Sequence, residues 1–126
     1  MNWNIFCTDV LRNGGCTTSY VYLGTTEGML GEKDKGGKSA TLSNFEVSTI
    51  TNSNGSNFQF RDEEYRFSEA KDAIFCYESS TKWLAFGRTS RYVLIVCGSS
   101  SNSSKVKDQC QKAVDYGLSS IEQMME

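Results

Sequence analysis

The sequence predicts an α+β fold: a central antiparallel sheet of about six strands, with helices from the two ends of the chain on one face and a short helix on the other. Three observations support this prediction. Apolar residues recur at helical spacing near both ends of the chain, short β-branched and aromatic runs fill its middle, and 126 residues suffice for one hydrophobic core. We therefore expect a single domain that spans residues 1–126.

The first element is predicted to be an amphipathic helix over residues 1–12. Trp3, Phe6 and Val10 recur at helical spacing and so share one face. The Asn-Gly-Gly stretch at residues 13–15 follows, and glycine suits the C-terminal cap of a helix. The first helix therefore presents a tryptophan and a phenylalanine on the same side.

Two strands and a loop are predicted next. Residues 18–23 are β-branched and aromatic, which favours a strand, and residues 26–31 can pair back on it after a tight turn. Residues 31–38 are rich in glycine and lysine, which is typical of a loop.

A short helix and a turn follow this loop. Residues 42–50 carry spaced apolar side chains, and Ser43 and Glu46 have the spacing of a capping box. Residues 51–57 are rich in asparagine, serine and glycine, which is typical of a turn. The chain is then expected to return to the sheet.

Five strand-like runs complete the predicted sheet. Residues 57–61 and 64–68 alternate apolar and polar side chains, and residues 72–78 and 82–87 indicate a hairpin. Residues 92–98 form the most apolar run of the chain. We expect this run to be a central strand that is buried on both faces.

A long C-terminal helix is predicted over residues 102–124. One apolar stripe runs along it at helical spacing, formed by Val106, Cys110, Ala113, Val114, Gly117, Leu118 and Ile121. Such a stripe allows the helix to pack beside the first helix on the sheet.

The absence of histidine and the weak net charge exclude several classes of function. Without histidine there is no Ser-His-Asp or Cys-His catalysis and no histidine-ligated zinc. A net charge of -2 lacks the basic excess of a nucleic-acid-binding protein, and the scattered carboxylates form no catalytic constellation. We therefore expect a protein that is not an enzyme, with no cofactor, no metal site and no nucleic-acid partner.

The five cysteines are expected to be reduced thiols. Their number is odd, no two of them form a Cys-x-x-Cys pair, and Cys76 and Cys97 lie within apolar runs. The sequence contains no apolar run long enough to span a bilayer, and we expect no signal peptide because the first residues lack its basic and long apolar regions. The expected compartment is the cytosol.

The joint pattern of these elements resembles the profilin family along almost the whole chain. The opening Met-Asn-Trp-Asn-Ile-Phe is similar to the profilin start, where a tryptophan and an aromatic residue three positions later share a helical face. Residues 88–98, Arg-Thr-Ser-Arg and then Tyr-Val-Leu-Ile-Val-Cys-Gly, resemble the basic residue, threonine and sixth strand of profilins. Residues 110–116 and 120–124 resemble the final helix of the family.

Two departures make the chain resemble a divergent member. Profilins commonly carry a second tryptophan in the second strand, whereas that position falls here near Met29 or Leu30. Residues 61–65 read Arg-Asp-Glu-Glu-Tyr, which is acidic where the family is often basic.

The resemblance implies a groove for proline-rich peptides between the N- and C-terminal helices. A polyproline II peptide is already extended, so it loses little entropy on docking, and flat aromatic rings give it a rigid contact surface. The residues that match this groove or could form its walls are Trp3, Phe6, Met29, Leu30, Tyr116 and Ile121. The alternative is that Trp3 and Phe6 only hold the first helix on the sheet.

The resemblance also implies a surface for monomeric actin on the last three strands and the start of the final helix. The matching residues are Tyr65, Tyr77, Arg88, Arg91, Lys105, Lys107, Asp108, Gln111 and Lys112. The acidic residues Glu63, Glu64 and Glu69 predict binding that is weakened or altered in specificity. The alternative is an ordinary solvated, charged face.

Phosphoinositide lipids are expected to be weak partners at most. The two basic clusters are Lys33, Lys35 and Lys38, and Lys82, Arg88 and Arg91. Neither reaches the four to eight basic residues of a typical lipid-binding patch. The Gly-Gly-Lys-Ser stretch at residues 36–39 lacks the full spacing of a phosphate-binding loop.

The leading interpretation is a monomeric regulator of actin polymerisation that binds monomeric actin and proline-rich proteins such as formins. A second interpretation is a non-enzymatic scaffold of the roadblock or longin type in membrane traffic. That class does not need Trp3 and Phe6 together. A third, a small-molecule sensor of the PAS type, needs an internal pocket that the many large aromatic residues are expected to fill.

Overall fold

A seven-stranded antiparallel sheet and three helices form the protein. The computed structural model describes residues 2–14, 18–34, 42–98 and 104–124. In chain order the elements are α1 (Trp3–Asn13), β1 (Thr18–Thr25), β2 (Gly28–Asp34), α2 (Asn44–Thr51), β3 (Phe58–Phe60), β4 (Glu63–Lys71), β5 (Ile74–Glu78), β6 (Trp83–Arg88), β7 (Val93–Gly98) and α3 (Ser104–Met124). The α+β class is confirmed. The sheet has seven strands instead of about six, because every run with strand character joins it, including the three-residue β3.

The sheet order is β2-β1-β7-β6-β5-β4-β3, and each strand is antiparallel to its neighbours. Strand β7 lies in the middle, between β1 and β6. Its residues Leu94, Ile95 and Val96 are fully buried, so both of its faces are covered. The prediction of a central strand from this apolar run is confirmed.

Three strands continue at least two residues past their predicted ends, and the first of them, β1, does so to Thr25. Strand β2 continues to Asp34, which pairs with Tyr20 of β1, so residues 31–34 are strand where a loop was expected. The remaining loop residues 35–41 lie outside the described part of the chain. Strand β4 continues to Lys71 through an irregularity between Phe67 and Glu69. Because this irregularity interrupts the alternation of apolar and polar side chains, the sequence pattern predicts only the first part of the strand.

The predicted capping box at the start of α2 is confirmed. The Ser43 hydroxyl accepts a hydrogen bond from the backbone N–H of Glu46 at 3.1 Å, and Glu46 Oε1 accepts one from the backbone N–H of Ser43 at 3.0 Å. Arg61 Nε also donates to Glu46 Oε2 at 2.9 Å. The Arg61 guanidinium, together with the Ser43 hydrogen bonds, lowers the pKa of the Glu46 carboxyl.

Helices α1 and α3 pack on one face of the sheet, which we call the two-helix face. Its core is mainly aliphatic, with residues such as Val10, Val21, Leu94, Val96 and Val114 that are completely buried. Two glycines allow this close approach. A Cβ at Gly31 of β2 would lie 2.7 Å from the carbonyl carbon of Trp3, and a Cβ at Gly117 of α3 would overlap Leu94.

The opposite face, which we call the α2 face, is covered by α2 and has an aromatic core. Ile50 of α2 and Leu42 pack there against the sheet. Six of its buried residues carry aromatic rings: Tyr20, Tyr22, Phe60, Tyr65, Tyr77 and Phe86. The Phe86 ring is stacked on those of Phe75 and Tyr77, with centroid distances of 5.3 and 6.0 Å.

The cysteines of the described chain are free thiols that the fold protects. Burial raises the pKa of Cys7, Cys76 and Cys97 to about 12, and it raises the pKa of Cys110 as well. Cys16 lies outside the described residues. These thiols are structural residues of the core, because a thiol with so high a pKa carries almost no thiolate at neutral pH.

Candidate binding surfaces

Trp3 forms the centre of an aromatic cluster at the start of α1. The Asn2 side chain caps this helix by accepting hydrogen bonds from the backbone N–H groups of Asn4 and Ile5 at 3.0 and 3.3 Å. The Trp3 ring is half-buried, meets the Phe6 ring edge-on at 5.8 Å between centroids, and lies at 5.7 Å from the Tyr92 ring. One side of an indole that is held by two other rings therefore remains accessible.

A cavity of about 340 Å³ opens beside Trp3, and we call it the tryptophan cavity. It lies between the β1–β2 turn (residues 26–27) and the β6–β7 turn (residues 89–92). Its lining residues are Trp3, Thr25, Thr26, Glu27, Leu30, Ser90, Arg91 and Tyr92. Indole, phenol and leucine surfaces thus meet a polar rim, as in a typical peptide site.

The residues expected in a proline-rich peptide groove do not all meet at this cavity. Phe6 is buried and supports the Trp3 ring from below, while Ile121 is only 1% exposed and belongs to the core. Met29 is exposed but pairs with Gly24, which also pairs with Val93 of the α2 face, so Met29 lies across the sheet from Trp3.

Tyr116 lies on the two-helix face, away from the tryptophan cavity. Its hydroxyl donates to Asp9 Oδ2 at 3.4 Å. Asp9 is six residues beyond Trp3, a rise of about 9 Å along α1. The structure therefore brings Trp3 together with Leu30 and Tyr92, and places Tyr116 farther along the helix.

Two of the residues expected to contact actin are buried. Tyr65 is 2% exposed, and Tyr77 is completely buried in the α2-face core. The Tyr77 hydroxyl is 2.6 Å from the Ser53 hydroxyl and accepts a hydrogen bond from the backbone N–H of Gly55 at 2.8 Å. Both tyrosines therefore belong to the core of the α2 face and present no surface to a partner.

The remaining residues of the expected actin surface form two separate groups. Arg88 lies on the α2 face, where its guanidinium donates to Asn54 Oδ1 at 3.3 Å, and Arg91 lies in the β6–β7 turn, with its guanidinium 5.9 Å from the centre of the Tyr92 ring. The other group lies on the first three turns of α3, across the sheet: Lys105, Lys107, Asp108, Gln111 and Lys112.

Strand β4 extends the α3 group into a charged surface. Lys107 Nζ lies 2.6 Å from Glu69 Oε1 of β4. Arg66 and Lys71 are exposed on the same side of β4, since they pair with Glu78 and Ile74 of β5 just as Glu69 pairs with Cys76. We call the start of α3 with these β4 side chains the α3–β4 surface, and it carries both signs of charge.

The sequence alone does not identify the buried Tyr92 or the exposed Arg66 as parts of the two candidate sites. Tyr92 precedes the most apolar strand and would be assigned to it, yet its ring turns back to Trp3. Arg66 alternates with Tyr65 and Phe67 in β4, so its exposure is predictable, but its place on the same side of the sheet as α3 is not. Contacts between residues so distant in sequence leave no local pattern.

The basic clusters considered for lipid binding are divided by the fold. Lys82 precedes β6 and lies 3.8 Å from Glu63 Oε2, at the end of β6 opposite Arg88. Lys33 is exposed between Glu32 and Asp34, and Lys35, Lys38 and residues 36–39 lie outside the described chain.

Within the described residues, no three His, Cys, Asp or Glu side chains converge to hold a metal ion. No helix in the same part of the chain is long and apolar enough to cross a membrane.

Comparison with known proteins identifies the architecture. Neither a protein-family model nor a curated protein sequence matches the chain. Among solved structures, Acanthamoeba castellanii profilin II is similar at a TM-score of 0.67 and 15% identity, over 94% of this chain and 98% of that one. Mouse profilin IIa, in complex with a double repeat from the FH1 domain of mDia1, is similar at 0.60 and 11%, over 90% and 96%.

A third structural neighbour is not a profilin. Myxococcus xanthus MglB, of the roadblock and longin class, is similar at a TM-score of 0.51 and 15% identity, over 98% of this chain and 89% of that one. The profilins match at higher TM-scores, between 0.60 and 0.67. The resemblance noted in the sequence is therefore confirmed at the level of structure: the chain has a divergent profilin-like fold.

Proposed function

We propose that this protein is a cytoplasmic, cytoskeleton-associated regulator of actin polymerisation that binds proline-rich peptides at the tryptophan cavity and monomeric actin at the α3–β4 surface. The observation that carries the proposal is the half-buried Trp3 ring, fixed between Phe6 and Tyr92 beside an open cavity. The profilin neighbour with a bound FH1 repeat supports the same class of ligand.

The chemistry of the tryptophan cavity suits a polyproline II helix. Such a helix has no internal hydrogen bonds, so its carbonyl groups remain available to donors, and its proline rings pack flat on aromatic faces. Trp3 supplies the accessible face, with the buried Tyr92 ring behind it, and the indole N–H and the Arg91 guanidinium are potential donors on the lining. Because the rings already contact one another, little conformational entropy is lost when the peptide binds.

Retention on a polyproline column tests the peptide site. Trp3→Ala should abolish retention, because truncation of a central aromatic residue typically costs about 2 kcal/mol or more of binding free energy. Ile5→Ala is the matched control, since Ile5 is an apolar residue of α1 that is 66% exposed and does not line the cavity. Elution of wild-type protein by free proline-rich peptide shows that retention is specific.

Two outcomes would contradict this part of the proposal. Wild-type protein could pass through the column unretained, or Ile5→Ala could weaken retention as much as Trp3→Ala. Circular dichroism of each variant shows whether it is folded.

The actin part of the proposal rests on the α3–β4 surface. Five residues of the expected set lie together on α3, and Arg66 and Lys71 add cations from β4. The Lys107–Glu69 pair places an acid within this surface, which reduces its positive potential. We therefore expect weak binding, with on-rates that fall as salt is added.

Polymerisation of pyrene-labelled actin tests this surface against the other group of residues. Charge reversal with Lys107→Glu and Lys112→Glu should reduce the inhibition of spontaneous polymerisation, whereas Arg88→Glu with Arg91→Glu should leave it unchanged. If wild-type protein at about tens of micromolar leaves the polymerisation curve unaltered, the actin half of the proposal is wrong and the peptide half stands alone.

The likeness to MglB favours one second candidate, a non-enzymatic scaffold of the roadblock or longin type. Such a scaffold has no use for an accessible Trp3 ring next to a cavity. Retention on polyproline that depends on Trp3 would argue against the scaffold. A wild-type protein that binds neither polyproline nor actin would favour the scaffold.

A further inference from the structure

The turn between α2 and β3 contains an Asn-Gly pair, Asn54 with Gly55. In such a pair the asparagine side chain can react with the backbone nitrogen that follows it, because glycine has no Cβ to block the approach. The sequence contains a second Asn-Gly pair, Asn13 with Gly14, at the end of α1. The same reaction can therefore be compared at two places in one molecule.

Asn54 and Gly55 are the central residues of a tight turn. The N–H of Ser56 donates to the carbonyl oxygen of Ser53 at 2.7 Å, and φ is 43° at Asn54 and 90° at Gly55. Two central residues with positive φ are typical of the type I′ turn, for which Asn-Gly is a preferred sequence. The backbone on both sides of the Asn54 side chain is therefore fixed.

The hydroxyl of the buried Tyr77 holds this turn from the interior. The Ser53 hydroxyl donates to the carbonyl oxygen of Ile50 at 2.6 Å, so its 2.6 Å contact with the Tyr77 hydroxyl has the tyrosine as donor. The Tyr77 oxygen accepts the N–H of Gly55 at 2.8 Å. Removal of this hydroxyl would leave the Gly55 N–H without its acceptor.

The Asn54 side chain is exposed and bonded to a different group. Its Oδ1 accepts a hydrogen bond from the Arg88 guanidinium at 3.3 Å. Water therefore reaches the amide, while Asn54 Cγ and the Gly55 nitrogen are each held toward another partner. A bond between these two atoms requires the turn to open locally, with loss of the hydrogen bond from Gly55 to Tyr77.

We propose that Asn54 is a deamidation site whose rate is controlled by the hydrogen bond between the Gly55 N–H and the Tyr77 hydroxyl. When the turn opens, the Gly55 nitrogen loses its proton to base and attacks Asn54 Cγ. The new C–N bond forms, the Cγ–Nδ2 bond breaks, and the leaving nitrogen takes up a proton and departs as ammonia. One water molecule then opens the resulting succinimide at either carbonyl group, which gives aspartate or isoaspartate. Overall, one amide and one water become one carboxylate and one ammonium ion.

The product places a new negative charge beside Arg88. Deamidation makes the net charge of -2 more negative by one, because a neutral amide becomes a carboxylate. Aspartate can keep the turn and pair with the guanidinium, whereas isoaspartate adds a methylene group to the backbone and should weaken the hydrogen bonds that close the turn. The modification therefore acts on the α2 face, and neither Asn54 nor Tyr77 lines the tryptophan cavity.

Peptide-mapping mass spectrometry of protein kept at mildly alkaline pH tests this proposal, because Asn13 and Asn54 are then measured in the same sample. Tyr77→Phe keeps the ring and should raise the rate at Asn54 at least about 5-fold, which corresponds to about 1 kcal/mol in the opening equilibrium. The rate at Asn13 should stay unchanged, since the Gly14 N–H is bound by backbone carbonyl oxygens of α1 at 3.2 Å.

Tyr65→Phe is the matched control variant. Tyr65 is also buried on the α2 face, but its hydroxyl is hydrogen-bonded to Ser79 and not to the turn, so the rate at Asn54 should equal that of wild type. Three outcomes overturn the proposal. Tyr77→Phe could leave the rate at Asn54 unchanged, it could accelerate Asn13 by the same factor, or Tyr65→Phe could accelerate Asn54 as much.

A measurement on wild-type protein decides the question if Tyr77→Phe fails to fold. Asn54 in native protein should deamidate at least about 10-fold more slowly than in protein unfolded with guanidinium chloride, because only the open turn reacts. Equal rates in the native and unfolded protein would overturn the proposal. These results do not depend on polyproline retention or on actin polymerisation.

Discussion

The two faces of the sheet are buried by different means. On the two-helix face, α1 and α3 bring their own apolar stripes, and aliphatic side chains fill the interface. On the α2 face, a helix of eight residues is about 12 Å long and cannot cover seven strands, so most of the buried core residues there are aromatic side chains that project from the sheet.

This difference determines where polar groups enter the interior. Aliphatic side chains need no hydrogen bonds, and the polar pairs of the two-helix face lie at its rim, such as Lys107 with Glu69 and Tyr116 with Asp9. Tyrosine hydroxyls must find partners inside, as Tyr20 does with Glu32 at 3.0 Å. The α2 face is therefore specified by hydrogen bonds, and the two-helix face by steric fit.

The largest effect should come from removal of a ring on the α2 face. Tyr77→Ala removes a ring that contacts Phe58, Phe67 and Phe86, and it should destabilise the protein by about 4 kcal/mol. Tyr77→Phe separates the two contributions, because it keeps the ring and removes only the hydrogen bonds of the hydroxyl with Ser53 and the Gly55 N–H, at about 1–3 kcal/mol. Urea denaturation measures both. Equal stabilities of Tyr77→Phe and wild type would refute the role assigned to the hydroxyl.

On the two-helix face a single added methyl group should be costly. Gly31→Ala would place Cβ at 2.7–2.8 Å from the Trp3 backbone, so α1 must move away from β2, and we expect a loss of about 2 kcal/mol. The neighbouring Leu30→Ala, at a position that is 37% exposed, should cost less than about 1 kcal/mol. Urea unfolding curves followed by tryptophan fluorescence compare the two. A Leu30 variant that is less stable than the Gly31 variant would contradict the steric argument.

Low pH should reduce the stability of the protein through protonation of Glu46 on the α2 face. Its pKa is lowered in the folded protein, so its contribution to stability is present above the ordinary glutamate pKa and is lost as the pH falls through the folded value. Glu46→Gln should cost about 1 kcal/mol at neutral pH and flatten the decline in stability below about pH 5.

Thermal melts at a series of pH values test this. Glu63, whose pKa is lowered chiefly by the Thr81 hydroxyl, contributes with the same sign, so the decline should shrink without vanishing. A Glu46→Gln variant with the same pH profile as wild type would exclude this contribution.

The smallest effect should come from the rim of the two-helix face. Lys107→Met breaks the pair with Glu69 but should change stability by less than about 1 kcal/mol, because partly exposed ion pairs contribute little. The same variant should still weaken inhibition of actin polymerisation. A melting temperature that falls as far as in Glu46→Gln would show that this pair is structural.

Local patterns in the sequence predict the elements well and their contacts poorly. The capping box of Ser43 with Glu46 and the apolar run of β7 are signals between near neighbours, and both are confirmed. The side of the sheet on which Met29 lies depends on a register shift between Leu23 and Gly24, and a shift of one residue moves a side chain to the other face.

The candidate sites depend even more on distant contacts. Trp3 is identifiable from its position in α1, but its partner Tyr92 is 89 positions away and comes near only when β7 joins the sheet beside β1. Tyr65 and Tyr77 match surface residues in the family comparison, whereas their burial follows from the small size of α2, which leaves aromatic rings to fill much of that face.

One contact at the edge of the sheet affects how copies of this protein behave toward one another. Strand β2 is an edge strand, and its outward N–H groups could pair with a strand of another chain. The side-chain oxygen of Asn4 accepts the N–H of Glu32 at 3.0 Å, so α1 lies along this edge and occupies one of its donors. At the other edge, β3 pairs only with residues 63–65 of β4, and just beyond it the Asn57 side-chain oxygen accepts the N–H of Phe67 at 3.0 Å. At each margin of the described sheet, an asparagine side chain therefore occupies a backbone donor that a strand of another chain would need.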